Sequence, residues 1–298
     1  MSKKSKKSVY QIVTDRIVEA LDNGVVPWSK PWKGGYALPY NMFSMDPEKG
    51  KFYQGANVPL LWLSGHSDPR WMTYTQAKKN GIEIKDGEKP HPVVFWKFLE
   101  KKDDNGVVED TFPVLRYFRV YNAQQCEGVP EMPEIADVDP SENHEHCQAM
   151  IDIYGVKVKH GGHKASYDCP SDTIKIPEAG AFNDVEGYWA TLLHEAIHST
   201  GHSDRLNRNL DSEDRESYAF EELVAEIGSA FLCAQMGIER DELIQNHASY
   251  IAGWKSVITS DPRAFMRASK LARQASDYVL ECSGASDYTV DEEDEEAA

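Results

Sequence analysis

The chain has 298 residues, 41% of them hydrophobic, which suits two domains of ordinary size. Its net charge of −17 is uneven: residues 1–125 sum to +5 and residues 126–298 to −22, a division that predicts two different tasks. No run of about 18 apolar residues occurs, so no membrane span is expected; the basic N-terminal arm lacks an apolar stretch and does not read as a secretory signal; and five scattered cysteines exclude a disulfide framework and point to a reducing cytoplasm.

Residues 1–8 form a Lys/Ser arm. Val9, Ile12, Val13, Ile17, Val18 and Leu21 recur at helical spacing, predicting a helix over 9–23 that stops at Asn23-Gly24. The loop that follows holds Trp28, Lys30, Trp32 and Lys33. Its indoles either cap the core or form a stacking platform beside cations, as in single-strand binding. A helix is predicted from Asn57 to Leu63. Trp71 and Tyr74 precede a short helix that Thr73 or Thr75 caps and Asn80-Gly81 ends. Strands are predicted at 82–84, 93–98 and 112–120, with a charged hairpin tip over 101–111. The first half is therefore α+β with a curved antiparallel sheet. Lys97, Arg116 and Arg119 interleave with its aromatics, a pattern that suits either a single-strand face or an ordinary aromatic core.

The Pro- and acid-rich stretch 127–142 reads as a linker, dividing residues 1–130 from residues 131–290; residues 291–298 are an acidic tail expected to be disordered. After a helix over 143–155, in which His144 and His146 are spaced poorly for one helix face, come strands at 156–158, 165–168 and 172–177. They are expected to form a β-meander, with 174–177 as an edge open to an extended peptide. Tyr167 reads as structural.

The sharpest signal is His194-Glu195-Ala196-Ile197-His198. On a helix, residues four apart share a face, so both imidazoles can meet one metal ion. Zn2+ is the default for this pair, with Glu195 as general base. The flanking leucines and isoleucine predict a buried helix, where two histidines and a glutamate are costly unless partnered. A third ligand is required. His202 lies past Gly201 and about 6 Å along the axis from His198. Asp204 stays open as an oxygen donor. Glu222 and Glu226 are four apart on the next apolar helix, one suited to bind the metal and the other to orient a ligand histidine. We assign Glu222 as ligand and Glu226 as the orienting group, with the reverse open.

The blocks Thr191 to His202, Arg205-Leu206-Asn207-Arg208 and Tyr218 to Gly228, together with Trp28 to Trp32, Tyr53 to Asn57, Trp71 to Ala77 and Gly87 to Trp96, resemble the ArdC-type antirestriction proteins, which include the N-terminal part of TraC primases. The resemblance covers nearly the whole chain. It implies an N-terminal single-stranded DNA-binding domain, a C-terminal zincin-like metallopeptidase domain, and carriage on mobile elements, where members protect transferred DNA from restriction. It favours the stacking-face reading of the aromatics, with Trp28, Trp32, Trp71 and Tyr74 beside Lys30, Lys33, Lys97, Arg116 and Arg119 as the expected DNA-binding residues. Glu226 stands where related gluzincins have Asp or Asn. The expected function is thus a DNA-binding zinc peptidase with an unidentified protein substrate; a DNA-binding shield with structural zinc and a general peptidase are the alternatives.

Overall fold

The computed structural model describes residues 7–29, 38–43, 52–102, 108–132, 140–208, 210, 214–239 and 248–284. Lys30, Trp32, Lys33, the hairpin tip, the centre of the expected linker and the acidic tail lie outside them.

Helix α1 (Val9–Asp22) begins where the Ser8 side chain accepts from the Gln11 N–H, and it buries Val13, Ile17 and Leu21. After β1 (Tyr40–Asn41), α2 (Asn57–Trp62) and β2 (Arg70–Thr73), the side chain of Thr73 closes a capping box with Gln76 and starts α3 (Tyr74–Lys79). Between β3 (Glu83–Ile84) and β6 (Cys126–Glu127) run two long strands, β4 (His91–Lys102) and β5 (Val108–Asn122). The main sheet has the order β1-β2-β5-β4 and is antiparallel except at β1/β2; β3 and β6 pair separately. Buried Asn57 fastens α2 to β4, donating to the Val94 carbonyl at 2.8 Å and accepting from the Val94 N–H at 2.7 Å.

The second half opens with α4 (Pro140–Tyr154), β7 (Lys157–His160), β8 (Ser166–Asp168) and β9 (Thr173–Ile176). These strands do not form a meander. Their order is β7-β9-β8, with β7 parallel and β8 antiparallel to β9. Strand β9 is therefore paired on both sides and cannot be the expected open edge, because Ile174 and Ile176 are fully buried in the core of this half. Among the described residues β7 and β8 each pair with β9 alone and are the two edges; β8 is the one with a backbone hydrogen bond to Glu195. His144 bonds Glu186 at 2.7 Å and stacks on Trp189, a tie between helices and not a ligand geometry.

Four helices complete the chain: α5 (Val185–Ser199), α6 (Arg215–Met236), α7 (Ala248–Ser260) and α8 (Ala264–Cys282). Helix α6 contributes to two cores. Leu223, Val224, Ile227, Ala230 and Phe231 join the cluster containing Ile17, Trp28, Leu60, Trp62 and Trp71. Ala225, Leu232 and Cys233 join Leu192, Leu193, Ile197 and Ile174 around α5. Trp254 of α7 and Phe265 of α8 also lie in the first cluster, so the core of the N-terminal half extends onto helices that follow the metal motif. Gly228 of α6 packs tightly against both neighbouring helices. A Cβ there would stand 3.0 Å from Ile197 of α5 and 3.2 Å from the Ala272 carbonyl of α8.

Candidate metal centre and nucleic-acid face

Asp184 caps α5 by accepting from the Gly187 N–H, and the apolar positions of the helix turn inward, presenting His194 and His198 on one face. Their Nε2 atoms are 3.1 Å apart. Glu222 of α6 meets both: Oε2 lies 3.8 Å from His194 Nε2, and Oε1 lies 3.6 Å from His198 Nε2. Donor atoms of His194, His198 and Glu222 all fall within 4.8 Å of one another, the one such cluster among the described residues. Two imidazole nitrogens and a carboxylate oxygen facing a common point are the donor set of a divalent cation with one position left for water. His202 and Asp204 are not in this cluster; the His202 ring accepts from the Asp204 N–H at 3.2 Å.

The two imidazoles are oriented from behind. His194 Nδ1 lies 3.6 Å from Glu226. His198 Nδ1 lies 3.3 Å from Glu221, a residue that sequence reasoning passed over. Arg208 holds Glu221 with two bonds, of 3.0 and 2.8 Å. The same guanidinium donates to Thr200 and to the Ile197 carbonyl, while Arg205 donates to the Ser199 carbonyl. Two arginines therefore satisfy carbonyls in the last turn of the metal helix, where cations are favoured. The signal for Glu221 was a second buried carboxylate in an apolar helix. The signal for Arg205 and Arg208 was a basic cluster directly after that helix.

Glu195 is buried beside the cluster. Burial pushes its carboxyl up to about 7, Glu222 adds to the rise, and His198 opposes it. A backbone hydrogen bond from Tyr167 on β8 reaches Glu195, so the open edge runs alongside the site. The Tyr167 hydroxyl itself donates to Asp172 at 2.7 Å, and Asp172 is forked by Arg205, which makes the tyrosine structural as expected. Tyr218, one turn before Glu222, is half-exposed, with its hydroxyl near both Glu222 and Tyr250.

The expected DNA-binding residues are distributed differently. Trp28 and Trp71 are core residues, exposed by 0% and 2%. Trp28 packs on Trp254 and Phe265, and Trp71 packs edge-on to His66 and His91. Neither ring has a face free for a base, because burying an aromatic ring removes about 150–250 Å² from water and the core claims it. Tyr74 is open, at 60%. Lys97, Arg116 and Arg119 are exposed on the β4–β5 hairpin. Its register pairs Phe95 with Arg116 and Lys97 with Val114, placing Lys97 and Arg116 on one face with Phe95 and Phe118. Arg119 lies on the other face with Trp96 and Tyr117, its guanidinium 5.9 Å from the Tyr117 ring. Phe95, Trp96, Phe112, Tyr117 and Phe118 are all exposed large aromatics that the sequence alone did not separate from core.

An α+β chain with this donor cluster on an α5/α6 pair has a zincin-like metallopeptidase domain with a divalent-metal site, for which zinc is typical. The zincin-like metallopeptidase family matches residues 145–271, and the N-terminal domain of the anti-restriction factor ArdC matches residues 7–121. The chain is 34% identical to the antirestriction protein ArdC from plasmid R388, covering 94% of this chain and 99% of that one, with a TM-score of 0.78 to its metal-free structure and 0.74 to its Mn(II)-bound structure. The protein y4eC of Sinorhizobium fredii is 33% identical over 91% of each chain. Two DNA primases TraC of Escherichia coli are each 36% identical over 92% of this chain, which spans 27% and 20% of their lengths. The chain belongs to the ArdC family of antirestriction proteins. Among the described residues no helix is long and apolar enough to cross a membrane.

Proposed function

We propose that this chain counters restriction of incoming DNA, holding single-stranded DNA through its first half and hydrolysing peptide bonds at a zinc site in its second. The observation that carries the peptidase reading is the convergence of His194, His198 and Glu222 beside an intact, buried Glu195. His194, His198 and Glu222 hold the metal, and Zn2+ there supplies Lewis acidity towards a water and a peptide carbonyl. Glu195 accepts the proton of the attacking water and returns it to the leaving amine, a task suited to a buried carboxyl beside the cluster. Glu221 and Glu226 fix the two imidazoles so that Nε2 faces the cation. Tyr218 is available to donate to a developing oxyanion. An extended substrate pairs with the β8 edge, which brings its backbone past Glu195. The hairpin supports the DNA reading, since it presents exposed aromatics interleaved with Lys97, Arg116 and Arg119.

Glu195→Gln keeps the side-chain shape and removes the base. The expected outcome is unchanged metal content with loss of peptide hydrolysis, by about 100-fold or more, and loss of protection against restriction. Full protection by the Gln variant in a plasmid-transfer assay would instead favour a shield with a structural metal.

A further inference from the structure

The second half is acidic, but not uniformly. Residues 248–276 carry five Lys/Arg and one Asp, whereas residues 126–298 together carry 13 and 35. These residues form most of α7 and α8, of which Trp254, Ile258, Phe265, Ala268 and Ala272 belong to the core of the N-terminal half while Ala275 and the end of α8 join the second core. The basic segment is therefore fastened to the half that carries the hairpin: Thr14 of α1 donates to the Pro262 carbonyl at 3.0 Å, and Lys255 pairs with Asp22.

The cations of α8 are ordered. Arg263, Arg267 and Lys270 are exposed, and their spacings of four and three put them on one face over about 10 Å of helix. Two of the three cations lie over aromatic rings, and one of these leads back to the hairpin. Arg263 stacks over Tyr10 of α1 at 5.4 Å, and Tyr10 meets Trp96 of the hairpin edge-on at 6.4 Å, on the face that also carries Tyr117 and Arg119. Arg267 stacks over Phe220 at 4.7 Å. Phe220, on α6, is a partly buried ring packed against the first core cluster. Asp261, 3.5 Å from Arg267, forms an exposed pair that contributes little and yields readily to a phosphate.

We infer that the single-strand surface extends beyond the hairpin, over Tyr10, Arg263, Arg267 and Lys270. The occupant is single-stranded nucleic acid. Exposed cations held against partly buried rings offer charge to phosphates and guanidinium planes to bases. A protein partner of the strongly acidic half would not need a cationic row continuous with the hairpin. The inference rests on the single-strand reading above and lengthens its path from the hairpin along α8.

The test uses the full chain and oligothymidylates of about 6 and about 24 nucleotides, read by fluorescence anisotropy over a salt series. Three proteins are compared: the parent, the triple variant R263A/R267A/K270A, and the hairpin variant Trp96→Ala with Arg119→Ala, each checked for an unchanged melting temperature. The triple variant is expected to bind the long oligomer about tenfold or more weakly, with a salt slope shallower by about 2, and to bind the short oligomer as the parent does. The hairpin variant is expected to lose affinity for both. A triple variant that keeps parental affinity and slope for the long oligomer overturns the extended path and leaves the single-strand reading standing. Equal losses for both lengths also overturn it, since the row would then act only as diffuse charge. A parent that binds neither oligomer removes the single-strand reading itself.

Discussion

At the scale of residues, three acids on α6, two of them adjacent, stand in two different positions toward the histidines. Glu222 faces both Nε2 atoms, whereas Glu221 and Glu226 face the Nδ1 atoms. Glu222→Ala is expected to abolish stoichiometric metal binding, and Glu221→Gln or Glu226→Gln to weaken it by about 10–100-fold, measured by metal titration calorimetry. Retention of full metal by Glu222→Ala with loss in Glu226→Ala would exchange their roles. A second residue prediction concerns pH. Burial, with Arg16 and His66 nearby, pushes His91 down to about 4. The unfolded chain takes up this proton near pH 6.5 while the folded chain does not, so stability is full above that value and falls as pH drops from 6.5 towards 4. With His91 only partly buried, the loss is on the order of 1–2 kcal/mol after discounting for solvent screening. Melting temperatures at pH 7.5 and pH 5 are expected to differ less in His91→Gln than in the parent; an identical difference would remove His91 as the cause. The metal pair was legible because its signal is local, two histidines one helical turn apart. Trp28 and Trp71 were not, because a stacking platform and a core are built from the same rings, and only long-range packing decides between them.

Elements show the same contrast. Helix starts at Ser8, Thr73 and Asp184 follow from capping chemistry written within a few residues. The order β7-β9-β8 does not, since which strand takes the centre depends on whose apolar face the helices cover, and Ile174 and Ile176 are covered. The tight packing of α6 on its neighbours is likewise non-local. Helix propensity alone favours a side chain over glycine by up to about 1 kcal/mol, yet at Gly228 the space is already filled by Ile197 and the Ala272 carbonyl. Gly228→Val is therefore expected to lower stability by about 1–3 kcal/mol in urea denaturation and to weaken metal binding, because pushing α6 off α5 moves Glu222 away from the histidines. A gain in stability with parental metal affinity would show that the contact can relax.

For the whole molecule, charge and composition divide the sequence near residue 130, and the two family matches fall on either side of it. The packing crosses that line. Trp28 rests on Trp254 and Phe265, and Trp62 rests on Phe231. A fragment of residues 1–130 would expose these rings, so it is expected to lack a cooperative thermal transition, while the full chain melts with coincident near-ultraviolet and far-ultraviolet signals. Cooperative melting of the fragment near the temperature of the full chain would show that the shared core is dispensable. A sequence read along its length cannot reveal such a core, because its two sides are separated by the entire metal motif.

Strand β8 is only three residues long. At about 3.3 Å per residue it aligns roughly 10 Å of extended substrate, too little to choose one protein among many by sequence. In the function proposed here, choice then passes to proximity. A protein seated on the same strand of DNA meets the site at an effective concentration that short tethers bring to about millimolar, whereas a free protein is met only at its bulk concentration. The shortness of that edge thus makes substrate selection a matter of shared address on the DNA.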